Sequence, residues 1–166
     1  QLEIEGSAGL KKNGVEKLHP IVARGYLNDV AGAKGVPNLE AGYEITMADV
    51  RDALSKQGLA DVKFLPGDGV FFRTGWGVHW VKDNAKFNSG EPGIGMEVAK
   101  WLSDTVQAGV VGSDTWGLEN VPAKDAGCAF CIHAHLLTRH GIVNQENMDL
   151  DALAVDKAWR FLYLYS

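Results

Sequence analysis

Cysteine is nearly missing from this 166-residue chain: Cys128 and Cys131 are the two present. Two thiols three positions apart build no disulfide framework of the kind small secreted domains use. Positive charge is short as well, with 16 Lys and Arg against 21 Asp and Glu and a net charge of −5. That balance argues against nucleic acid as a main partner, since phosphate binding needs a basic face. No apolar run approaches the roughly 20 residues that span a bilayer, so no membrane partner is expected. No Gly-x-Ser-x-Gly elbow occurs, which argues against a serine hydrolase of that type. Gly93-Ile94-Gly95 lacks the third glycine of a dinucleotide fingerprint and follows no clear strand.

What remains is ordinary for a globular domain: 46% apolar and 22% charged residues, enough chain for one hydrophobic core. Glycine is plentiful, 20 of 166 residues against about 7% in an average protein, and its dispersal points to many tight turns. The first residue is Gln1, and no basic region, apolar core or cleavage site of a signal peptide follows. The expected location is therefore cytoplasmic, with the true N-terminus expected upstream. The last eight residues (WRFLYLYS) are apolar and aromatic, which predicts a strand inside a sheet and a chain that belongs to a longer protein.

Along the chain, 11–14 (KKNG) is a turn signal and 21–27 reads as a strand. A Gly- and Pro-rich loop follows through Gly32, Gly35, Pro37 and Gly42. Thr46, with Asp49 three positions on, is close to a capping box; Met47, Val50 and Leu54 then recur at helical spacing until Gly58. A turn at 66–69 leads into a short buried strand at 70–73. Residues 75–93 read as a long irregular loop of the kind that walls a site. A second helix is expected over 94–106, a short strand at 110–112, a third helix over 129–139 and a strand over 142–146. Strands alternate with helices, so the fold class is α/β. No repeat or linker divides residues 1–166, which form a single domain.

Few residues suggest chemistry on their own. Cys128, Cys131, His133 and His135 are zinc-ligand types, but His133 points roughly 160–200° away from the helix face shared by Cys131 and His135. Both cysteines are therefore read as buried on the inner face of a helix. His133 and Glu146 make a better pair: they are 13 residues apart, a helix and a tight turn lie between them, and an imidazole with a carboxylate suits Mn, Zn or Fe as well as proton transfer. A structural histidine with a surface glutamate is the plain alternative. Asp114 follows a short apolar strand, where ligands gather in open α/β sheets, or else it caps a turn. Arg73, Trp76, His79 and Trp80 are candidates to line a pocket for a flat substrate, or simply pack.

Six strings occur in order: 20–30 (PIVARGYLNDV), 42–49 (GYEITMAD), 66–76 (PGDGVFFRTGW), 110–115 (VVGSDT), 131–141 (CIHAHLLTRHG) and 146–153 (ENMDLDAL). Together they resemble the cyclase family of metal-dependent hydrolases, which includes kynurenine formamidase and isatin hydrolase. The resemblance implies a swivelling β/β/α domain, incomplete here at both ends. It implies a hydrolase of amide or ester bonds, often cyclic or aryl, acting on a small-molecule substrate at a divalent metal, Mn or Zn, and assembled as a homodimer or homotetramer. In that family a His-x-Gly-Thr-His-x-Asp motif holds the metal, and a later His on a helix and a following Glu complete the site. By position these are His133 and Glu146, both metal ligands and catalytic groups. The long motif does not occur in this sequence. It would lie before Gln1, so the resemblance implies that these 166 residues alone are inactive and bind metal weakly.

Overall fold

The computed structural model describes residues 5–6, 9–10, 17–125 and 127–166. The turn expected at 11–14 lies outside them. Two short strands, β1 (Glu5–Gly6) and β2 (Gly9–Leu10), pair antiparallel. Strand β3 (Ile21–Asp29) then enters the main sheet and runs two residues beyond the expected strand. Asp29 ends it by accepting a hydrogen bond from the Gly32 amide, which caps helix α1 (Val30–Lys34); Gly35 closes that helix in the left-handed region. The segment expected as a Gly- and Pro-rich loop therefore contains a one-turn helix.

Strand β4 (Glu44–Ile45) precedes α2 (Met47–Lys56), whose capping box is complete: Thr46 Oγ1 accepts from the Asp49 amide and Asp49 accepts from the Thr46 amide. Strand β5 (Gly69–Arg73) follows the expected turn. Residues 75–93 are less irregular than expected. A 3-10 turn (Trp76–His79) and helix α3 (Asn84–Phe87) occupy much of them, and β6 (Gly93–Ile94) ends them beside β4. Gly75, at φ 75°, is required there, because a Cβ would run into the Pro37 carbonyl.

Helix α4 (Met96–Lys100) begins two residues later than expected, because Ile94 is held in β6, and it continues as a π-type turn over Trp101–Val106. Strand β7 (Val110–Ser113) matches the sequence reading. Helix α5 (Cys131–His133) also starts late and continues as a π-type turn through Ala134–Arg139. Strand β8 (Val143–Gln145), helix α6 (Asp151–Val155) and strand β9 (Arg160–Tyr165) complete the chain.

The main sheet has the order β8-β7-β5-β3-β9, with the first four strands parallel and β9 antiparallel to β3. The period of two along β5 sends Val70 and Phe72 to one face and Phe71 to the other. On the first face they meet Val50 and Leu54 of α2, Val98 of α4 and Leu136 beyond α5. On the second, Phe71 packs with Leu27, Val110, Leu150 and Tyr163. Burial on both faces explains why β5 and β7 read as continuous apolar runs. The C-terminal strand is not internal as its composition suggested: β9 is an edge of the described sheet, and Leu162 and Leu164 are exposed. Among the described residues no helix is long and apolar enough to cross a membrane.

Candidate active site

Parallel strands deliver their side chains to one edge of the sheet. Strand β7 ends at Ser113 and feeds Asp114 and the following loop; β8 ends at Gln145 and feeds Glu146. Two further carboxylates reach this region on paired backbones, because Glu91 bridges Val121 and Ile94 bridges Glu119. Both carboxylates are buried.

His133 lies between two of these acids. Glu119 Oε1 is 2.6 Å from its Nδ1, and Glu146 Oε1 is 2.8 Å from its Nε2. Glu119 also accepts from the amides of Ile132 and His133, so one buried carboxylate fixes both the start of α5 and the orientation of its imidazole. The two carboxylates, Glu119 first and Glu146 next, raise the His133 pKa to about 9 against the opposing effect of burial. Phe130, at φ 55°, lays its ring edge-on to His133 with centroids 5.3 Å apart.

Glu91 completes the acidic cluster. Its Oε2 accepts from the Trp116 amide at 2.6 Å, and its Oε1 has no hydrogen-bond partner among the described residues. Burial pushes its pKa up to about 8; the Trp116 amide opposes this, and the Glu146 charge adds to it. Neither Glu91 nor Glu119 was singled out from the sequence. Each is an isolated acid in a loop, and only the bridges between those loops show that they converge.

The donor set suits a divalent ion. Imidazole Nε2 and carboxylate Oε1 face each other at 2.8 Å, and the second imidazole nitrogen is held by a carboxylate, the usual support of a metal-ligating histidine.

The other sequence candidates do not join this cluster. The Arg73 guanidinium bonds Asp29 and Asp151 at 2.9 and 2.8 Å. Asp114 is buried and accepts from the Thr74 amide, the Thr74 hydroxyl and the Gly75 amide at 2.6–2.8 Å, so it caps a turn, with Thr74 and Gly75 and not the adjacent Thr115. Trp76 is buried with its indole N–H donating to the Phe87 carbonyl, and His79 stands edge-on to it. A cleft of about 230 Å³ is lined by Trp80, Phe87, Asp114, Asn147 and Asp149 among others; Arg73, Trp76 and His79 stay outside it. The cysteines require a correction as well. Cys128 and Cys131 form a disulfide and are half-buried, whereas the sequence suggested inner-face thiols. The spacing permitted this because Phe130, in the left-handed region, turns the chain back just before α5.

These features define a class: an α/β domain with a carboxylate-braced imidazole at the C-terminal edge of a parallel sheet. The chain belongs to the family described as "Putative cyclase", whose model matches residues 5–120. A crystal structure described as a novel cyclase is 34% identical, with a TM-score of 0.70 over 83% of this chain and 46% of that one. Isatin hydrolase A from Ralstonia solanacearum is 21% identical, with a TM-score of 0.60 over 80% of this chain and 50% of that one. An isatin hydrolase bound to the product analogue thioisatinate is 20% identical, with a TM-score of 0.62 over the same shares. The two hydrolases share the fold, and the chain spans about half the length of these structures. No curated protein matches it.

Proposed function

We propose that this chain is the part of a metal-dependent hydrolase that supplies His133 and Glu146 to a divalent metal, Mn or Zn. The bond cleaved is an amide or ester of a small molecule: a cyclic amide, a lactone or an aryl formamide. The observation that carries this reading is the placement of His133 between Glu119 and Glu146. Family membership and the shared fold of the isatin hydrolases support it.

When bound, the ion supplies Lewis acidity, polarising a scissile carbonyl and acidifying water. The chain's own groups do the rest. His133 Nε2 and Glu146 Oε1 hold the ion, and Glu119 keeps the imidazole turned toward it. Glu91, with a pKa of about 8, holds a proton on its carboxyl near neutrality and is suited to give it to a leaving group. Phe130 lies edge-on to the imidazole, and Trp116 packs against Phe130. The cleft beside Asp114, with Trp80 and Phe87 in its wall, takes a flat substrate; behind that wall Trp76 bonds the Phe87 carbonyl, His79 packs on Trp76 and Arg73 bonds Asp151. Residues 1–166 act as one cyclase-like domain within a homodimer or homotetramer.

A second reading is a truncated, non-catalytic paralogue that serves as a binding or assembly partner. One experiment separates them. Protein isolated from its source is weighed intact, assayed for Mn and Zn, and offered aryl formamides, cyclic amides and lactones. Turnover lost in both His133→Ala and Glu146→Gln supports the hydrolase. A metal-free, inactive protein of this chain's mass supports the paralogue.

A further inference from the structure

Histidines two apart on a helix face opposite ways, so His135 points away from the cluster that engages His133. It meets a different set of groups. Its ring lies 4.5 Å from that of His140, centroid to centroid, and its Nε2 is 3.0 Å from the Ser103 hydroxyl, which also donates to Asp104 Oδ1 at 2.7 Å. One ligand atom from each of Asp104, His135 and His140 lies within 4.8 Å of the others. Asp104 sits on the π-type turn after α4, and the two histidines sit on and just after the turn that continues α5. The three groups thus come from two separate helical segments.

We propose that Asp104, His135 and His140 form a second divalent-metal site of the zinc class, separate from the His133–Glu146 site. Two imidazoles and one carboxylate match zinc and its borderline neighbours and disfavour magnesium and calcium, which take oxygen ligands. Ligands at about 2.0–2.1 Å from one ion are at most about 4.2 Å apart, so the set must draw in slightly. Asp104 and His140 are exposed, and the Ser103 hydroxyl holds the Asp104 carboxylate beside the His135 ring. A fourth position stays open to solvent. The ion would staple the α4 segment to the α5 segment on the side of α5 away from the acidic cluster. Lys100 and Arg139, also near His135, oppose a cation and hold the affinity below that of a closed four-ligand site.

The test is zinc titration of the 166-residue chain by calorimetry, with Co(II) absorption as a second readout. His133→Ala removes the other site and isolates this one; in that background one equivalent of zinc is still expected to bind. Adding Asp104→Asn and His140→Ala is expected to weaken that binding by at least about tenfold and to abolish the Co(II) bands. Both positions are exposed, and an unchanged far-ultraviolet circular dichroism spectrum certifies folding. Zinc binding that vanishes with His133→Ala alone, or that survives the triple variant undiminished, overturns the proposal. Neither result would touch the hydrolase reading, whose own test is turnover.

Discussion

Glu119 and Glu146 grip opposite nitrogens of the His133 ring, at 2.6 and 2.8 Å, but only Glu119 is buried. In the proposed hydrolase the two acids have different work: the buried one sets the ring's orientation, and the half-exposed one is the group offered to the metal. Glu119→Gln removes the larger of the two influences that raise the His133 pKa. In chelator-treated protein the His133 pKa, followed by NMR of the ring nitrogens, is expected to drop from about 9 toward its ordinary value of 6.5. Metal affinity at the Glu146 side is expected to fall by about 10–100-fold, the usual effect of losing such a support. An unchanged His133 titration in the folded variant would refute this division of roles.

The raised His133 pKa links folding to pH. A histidine whose folded pKa lies above its unfolded one stabilises the fold fully below pH 6.5, and that contribution is lost as pH rises through about 9. Metal-free protein is therefore expected to show a decline in urea midpoint between those values. His133→Ala should flatten this part of the profile. A midpoint that rises over the same interval would contradict the assignment.

Glu91 acts in the same direction by a different route. Burial raises its pKa from 4.5 to about 8, so the folded state binds this proton more tightly than the unfolded chain does. Its contribution is complete at low pH and is lost as pH climbs from 4.5 to about 8. Glu91→Gln keeps an acceptor for the Trp116 amide and removes the charge. The variant is expected to lose that part of the slope and to be more stable than the parent at pH 9, by a few kcal/mol at most. Comparing the two urea midpoints at pH 5 and pH 9 checks the sign.

Much of this arrangement was legible in the residues. The capping box at Thr46 and Asp49, the apolar runs of β5 and β7 and the turn expected at 66–69 follow from local rules, and the structure has them. The approach of His133 and Glu146 was legible because both flank one helix-turn-strand unit. What sequence could not supply was contact between distant loops. Glu91 and Glu119 meet through backbone bridges that no periodicity announces. The π-type continuations of α4 and α5 were invisible for a related reason. A 3.6-residue pattern predicts helix length, and it says nothing of the widened turn that places Asp104 beside His135. The edge position of β9 was hidden because its apolar side chains look the same whether a neighbour covers them or not.

Asp114 shows how a carboxylate at a strand end can be structural. Its Oδ1 accepts from the Thr74 amide and hydroxyl, its Oδ2 accepts from the Gly75 amide, and burial raises its pKa against those three bonds. Asp114→Asn puts an NH2 group where one of these acceptors stood. If that group replaces Oδ2, it confronts the Gly75 N–H; if it replaces Oδ1, it confronts the Thr74 amide. The variant is expected to lose about 1–3 kcal/mol of stability in urea unfolding, the scale for a buried donor left unsatisfied. If the turn over Trp76–His79 loosens with it, the cleft walled by Trp80 and Phe87 opens, and quenching of tryptophan fluorescence by acrylamide rises. A variant as stable as the parent would show that the Thr74–Gly75 turn does not depend on this carboxylate.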